Sequence, residues 1–180
     1  QGDDGVPGYP LARVYVTGKE LKSILEILHL ASRSVPKYYC YYSGLKAEFD
    51  PGKGLLNKIR SIEILSEDGK SKRVDFSKKN EDLYSITANS YTLEFVGILK
   101  KMSFGLINVV PKDASGNPFI NMKNAVIDLD ETSDSIQEGK EWLALIEYLS
   151  AMKDRNGNGV PDIDIKYRDA IQSFINVNNP

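Results

Sequence analysis

The sequence predicts an α/β (α+β) fold of mixed sheets layered with flanking helices. Three observations predict it. Short apolar runs alternate at strand period, a helical apolar stripe follows the first of them directly, and an Asp-Gly turn folds a strand back as a hairpin. Helices interleaved with hairpins imply strands that are not all parallel.

The first strand runs from Leu11 to Val16 and leads into Thr17-Gly18-Lys19-Glu20. Thr17 can cap a helix while Glu20 reaches back to the cap, the capping-box spacing. The helix that follows places Leu21, Ile24, Leu25 and Leu28 on one buried face. Tyr38 to Phe49 is an extended region broken at Ser43-Gly44, and Asp50 to Gly54 is a turn. Ile59 to Leu65 alternates inward Ile62 and Ile64 with outward Ser61 and Glu63, and Asp68-Gly69 returns it as Lys72 to Phe76. Leu83 to Ala88 is a further strand, Tyr91 to Lys101 a helix, and Gly105 to Val110 a short strand closed by Pro111. After a polar loop from Lys112 to Pro118, Ser135 and Glu138 repeat the capping-box spacing. The helix they would open carries a core-facing stripe of Trp142, Leu145, Ile146, Leu149 and Met152. A last helix is expected from Tyr167 to Ile175.

Composition excludes several classes. With 41% apolar and 27% charged residues the chain has a globular composition, and its net charge of −2 provides no general attraction to nucleic acid polymers or anionic membranes. No apolar stretch approaches the ~20 residues of a membrane span. The single cysteine, Cys40, cannot close an internal disulfide and reads as a half-buried strand residue in an aromatic run. The start at Gln1, without methionine, is expected of a trimmed or processed chain.

Chemistry is sparse. The single histidine, His29, lies beside the apolar face of the first helix, with no second histidine to share a metal or a triad. Nucleophile elbow, phosphate loop and dinucleotide fingerprint are all missing. Gly52-Lys53-Gly54 lies between strands, with no helix start to supply a positive dipole, and reads as a turn. No catalytic residue is therefore assigned, and the chain alone is expected to perform neither hydrolysis nor redox chemistry. One loop has metal spacing. Asp154, Asn156, Asn158 and Asp162 stand at positions one, three, five and nine, with Gly159 at position six, and Asp164 adds a carboxylate. That is the pattern of a calcium loop, although Ile165 replaces its closing glutamate. The same residues also favour an unaided Asn/Gly turn.

Four stretches in order resemble the C-terminal domain of the 5'-nucleotidase family. They are Gly8 to Lys22 with Leu25-Glu26, Ser43 to Lys46 with Phe49-Asp50-Pro51, Arg60 to Ile64 with Gly69, and Leu83 to Tyr91. Together they cover about residues 8 to 100. The resemblance implies a two-domain exported enzyme, in which a preceding metallophosphatase domain with a divalent dimetal centre cleaves the phosphate. The domain matched here would grip the nucleoside base between two aromatic rings, and stacking suits that task because every base has a π-face.

By the same resemblance the second ring falls on Tyr91. The first falls near Val6 to Tyr9, where Pro7 takes the aromatic's place and Tyr9 is the nearest ring. Asn89, in the matched stretch before Tyr91, joins them as a substrate-binding residue. The alternative for Tyr91 is a ring that simply packs at a strand-to-helix junction. The family's glycine-rich loop after the second ring is replaced by Glu94-Phe95-Val96-Gly97.

The implied organisation is a substrate-binding body at residues 1–110, its N-terminal edge incomplete, and a C-terminal helical extension at 111–180 packed on the same domain. Expected partners are the N-terminal metallophosphatase domain, a nucleotide or nucleoside, and a second copy through the open edge. The location implied is extracellular, periplasmic or the cell surface. The alternative reading is a non-catalytic surface or calcium-binding module with the same fold.

Overall fold

The structure is a computed structural model and describes residues 4–36, 39–66, 68–93 and 108–165, with the backbone of 174–176. Its elements in chain order are β1 (Leu11–Thr17), α1 (Gly18–Ser34), β2 (Leu45–Phe49), β3 (Ile59–Leu65), β4 (Ser71–Arg73), β5 (Leu83–Asn89), a 3-10 turn (Met122–Ala125), α2 (Glu141–Ser150) and β6 (Phe174–Asn176). β1 pairs with β5, and a second sheet has the order β4-β3-β2-β6. β3 is antiparallel to both β2 and β4, whereas β6 lies parallel to β2. The mixed α/β class predicted from the sequence is the class observed.

The chain forms two compact units, each discontinuous in sequence. One comprises Gln1–Val14, Ser85–Phe95 and Lys112–Ile171; the other comprises Tyr15–Tyr84, Val96–Pro111 and Gln172–Pro180. Lys112–Ile171 thus share a unit with Gln1–Val14.

In the second unit the predicted capping box is present. The Thr17 hydroxyl oxygen accepts from the Glu20 amide, and Glu20 Oε2 accepts from the Thr17 amide at 2.8 Å. Leu21, Ile24, Leu25 and Ile27 are buried along α1, and Leu28 is half-buried. Glu26 is buried too, because its carboxylate accepts the backbone N–H of Ile59 at 2.7 Å and the Lys22 ammonium at 3.2 Å. That contact fixes α1 against β3. Gly18 has no room for a side chain: an added Cβ would stand 2.2 Å from the Asp75 carbonyl oxygen.

In the first unit, Ala12 and Val14 of β1 alternate inward and meet Leu93 and Ala125, with Ile86, Ala88, Phe119 and Met122 packed around them. Leu11 is held on both sides of its peptide, its N–H donating to Gly139 O and its carbonyl accepting from Ile127 N. The residues just before β1 are thereby set beside the start of α2.

Several expectations are corrected. Of the Tyr38 to Phe49 region, the described strand is only Leu45–Phe49; Tyr39 and Tyr41 instead meet edge to face at 5.0 Å. Ser61 is buried rather than outward, since β3 lies inside its sheet and the Ser61 hydroxyl donates to Glu48. The hairpin return ends at Arg73. Ser135 and Glu138 open no helix. Residues 137–139 instead pair with Ile127 to Leu129, and α2 begins after Lys140 with no side-chain cap. Its apolar stripe does not face a core: Trp142, Leu145, Ile146 and Tyr148 are all exposed, and Leu149 and Met152 are half-buried.

The helix expected from Tyr91 is helical through residues 91–93, and Glu94 to Lys101 lie outside the described residues. Of the expected strand at Gly105 to Val110, residues 108–110 are irregular and the rest lie outside. The expected last helix also lies outside the description up to residue 173. Phe174 and Ile175 are extended in β6, where the backbone pairs with Ala47 and Glu48. Among the described residues no helix is long and apolar enough to cross a membrane.

Candidate functional site

The three residues singled out for substrate binding come together on one surface of the first unit. Tyr9 immediately precedes the short pairing of Pro10 with Lys140, and Tyr91 follows β5 at the start of a helical turn. Their ring centroids lie 5.4 Å apart with planes inclined by 34°. The two tyrosines remain 55% and 59% exposed, so the pair faces solvent rather than a core. A flat ring between them would need two van der Waals gaps of about 3.5 Å, or about 7 Å from plane to plane. As found, the 5.4 Å between the two centroids leaves no room for one.

Asn89 links two elements beside this patch. Its Oδ1 accepts from the Thr92 amide at 2.8 Å, and its Nδ2 donates to Glu141 Oε1 at 3.1 Å. Both ends of the amide are therefore assigned by their partners. Asn89 in this way caps the turn that carries Tyr91 and ties it to the first turn of α2.

Sequence reasoning missed the contribution of α2. The Trp142 indole N–H donates to the Pro7 carbonyl at 3.0 Å. Its ring edge also covers Gly8, where an added Cβ would lie 3.1 Å from Trp142 Cδ1; Gly8 has φ of +107°, which a side chain would resist. The segment bearing Tyr9 is thus clamped by a tryptophan that the apolar periodicity assigned to a core. No local pattern signals this, because the two partners are 135 residues apart.

A buried charge cluster completes the clamp. The Lys140 ammonium is hydrogen-bonded to Glu138 and, at 3.0 Å, to Asp4. The Lys140 side chain is only 1% exposed. Burial opposes its charge, but the hydrogen bonds it donates to Glu138 and Asp4 outweigh that and hold its pKa above the ordinary lysine value. Burial likewise acts against the Asp4 charge, and the Val6 amide with Lys140 overcomes it to lower the Asp4 pKa.

The five residues with metal spacing occupy a separate exposed loop of the same unit. Asp154 Oδ1 accepts from the Gly157 amide at 2.7 Å and Asp154 Oδ2 from the Gly159 amide at 2.8 Å. The Gly159 amide leads the amides that lower the Asp154 pKa. Asn158 Oδ1 accepts from Val160, while Asp162 accepts from the Arg155 amide and from Asn156 Nδ2. Asp164 lies 3.8 Å from the Arg155 guanidinium. Oxygens at the predicted ligand positions are thus bonded to the loop's own amides. Among the described residues no group of three or more His, Cys, Asp or Glu side chains is arranged to hold a metal. Beside the loop a cavity of about 370 Å³ is lined by Tyr148, Met152, Arg155, Asp162 and Asp164, among others.

His29 packs its ring on Phe49, with centroids 3.9 Å apart, and burial pushes its pKa down. Burial also pushes the half-buried Cys40 thiol up, away from thiolate character.

A solved structure, that of the 5'-nucleotidase precursor from Thermus thermophilus, is 20% identical, with a TM-score of 0.42 over 62% of this chain. This chain spans 20% of the length of that protein. No curated protein matches. The family model described as "5'-nucleotidase, C-terminal domain" matches residues 8–97, which include Tyr9, Asn89 and Tyr91. That match covers half of the 180 residues, and the chain belongs to the 5'-nucleotidase C-terminal domain family.

Proposed function

We propose that this chain is the nucleoside-recognition portion of a 5'-nucleotidase-like phosphohydrolase. The observation that carries the reading is the solvent-facing pair of Tyr9 and Tyr91 within the matched span. In this reading the rings part to admit a base, which replaces the Tyr–Tyr contact with two base–aromatic contacts. Each stacked base–aromatic contact is worth about 1–3 kcal/mol.

Hydrolysis is assigned to a metallophosphatase domain N-terminal to this one, with its own divalent dimetal centre, and location to the periplasm, cell exterior or cell surface. Tyr91→Ala in the full-length protein tests the reading. If stacking contributes equally to substrate and transition state, the variant raises KM about tenfold or more while kcat changes little. An unchanged KM for every nucleotide tried rejects it.

A further inference from the structure

Stacking tolerates every base, so a strong choice among them calls for a polar group beside the ring pair. Glu141 and its two chain neighbours each meet a residue that flanks that pair. The ties are these: Asn89 Nδ2 holds Glu141 Oε1 at 3.1 Å, Trp142 beside it covers Gly8, and Lys140 before it pairs with Pro10. Gly8 and Pro10 flank Tyr9, and Asn89 stands two residues before Tyr91. Glu141 is exposed rather than buried in the clamp. A carboxylate is acceptor-only, with about four lone-pair sites, of which Asn89 takes one.

The bases differ in what they present to such a group. Guanine alone offers two adjacent donors, the ring N1–H and the exocyclic amine, which suit the two oxygens of a carboxylate. Adenine and cytosine place a ring-nitrogen acceptor beside their amine, and uracil flanks its N–H with carbonyl oxygens. Each of these sets an acceptor lone pair against the carboxylate. Hypoxanthine keeps the N1–H but lacks the amine.

We infer that Glu141 reads the donor edge of the bound base and selects a guanine-type nucleoside. This rests on the stacking reading of Tyr9 and Tyr91. Asn89 acts as a positioning residue, since its amide is fixed by Thr92 and in turn orients the carboxylate.

Calorimetric titration of the protein with guanosine, inosine, 1-methylguanosine and adenosine tests the inference. These nucleosides carry no phosphate, so no catalytic domain is needed. Guanosine is expected to bind about tenfold or more tightly than the other three, the discrimination a two-point contact provides. Glu141→Gln is expected to bring guanosine down to the level of inosine, which one amide oxygen can still accept. Tyr91→Ala is expected to weaken all four alike.

Equal binding of guanosine and inosine to the unmodified protein, with Tyr91→Ala still weakening both, overturns the role of Glu141 and leaves stacking intact. A guanosine preference that survives Glu141→Gln overturns it as well. Failure of every nucleoside to bind overturns the stacking reading and this inference with it. The comparison among nucleosides on the unmodified protein holds whether or not either variant folds.

Discussion

Trp142 donates its indole N–H to the carbonyl of Pro7 at 3.0 Å, and so the helix that follows the matched span holds the segment that carries Tyr9. In the proposed reading, where Tyr9 moves to admit a base, that ring is therefore coupled to the only tryptophan of the chain.

Base entry should for that reason be visible in fluorescence. Displacing Tyr9 shifts Pro7 and Gly8 against the indole, so Trp142 emission is expected to change on nucleoside addition and to saturate with binding. Emission unaltered at saturating nucleoside would mean that Tyr9 stays in place.

The Lys140 cluster makes a stability prediction. Lys140→Met leaves the buried Glu138 carboxylate without its cation, a change that costs about 3 kcal/mol in comparable buried pairs. Chemical denaturation of both proteins measures it. The pH signs follow from the shifts. Lys140 is raised, so its contribution is present below the ordinary lysine value of 10.5 and lost as pH rises through its elevated pKa. Asp4 is lowered, so its contribution is present above 3.8 and lost as pH falls through its depressed pKa. Lys140→Met should flatten the alkaline limb of the stability profile.

Gly18 has a steric test. A methyl there would collide with the Asp75 carbonyl oxygen at 2.2 Å, a backbone atom with no flexible end. Gly18→Ala is expected to destabilise by about 1–3 kcal/mol, the usual cost of overpacking, or a fall in Tm of about 2–12 °C. An unchanged Tm would show that α1 and the residues after β4 have slack.

The loop around Asp154 separates two explanations of its spacing. Because Asp154 accepts from the amides of Gly157, Asn158 and Gly159, Asp154→Ala should lower Tm even in chelator. A calcium loop predicts instead that the loss appears only when calcium is supplied. Melting curves of both proteins in calcium and in chelator distinguish them.

The sequence shows what is local and hides what is distant. Thr17 with Glu20 and Ser135 with Glu138 have the same spacing, yet only the first pair caps a helix. The difference is long-range: Gln137 and Gly139 exchange backbone bonds with Leu129 and Ile127, and Lys140 claims the Glu138 carboxylate. Pairing of β6 with β2 is equally hidden, because Phe174 meets Ala47 across most of the chain. Periodicity found the apolar stripe of α2 but read it as core-facing, because a repeat carries no record of what covers the face. At the candidate site, likeness to a family brought out Tyr9, Asn89 and Tyr91, whereas Glu141 and Trp142 emerge only once α2 is seen beside them.

The decisive measurement is a crystal structure of the protein with a bound nucleoside. The base is expected between Tyr9 and Tyr91, with the rings parted from the present 5.4 Å to about 7 Å. A nucleoside bound elsewhere, with the two rings still in contact, would contradict the stacking reading.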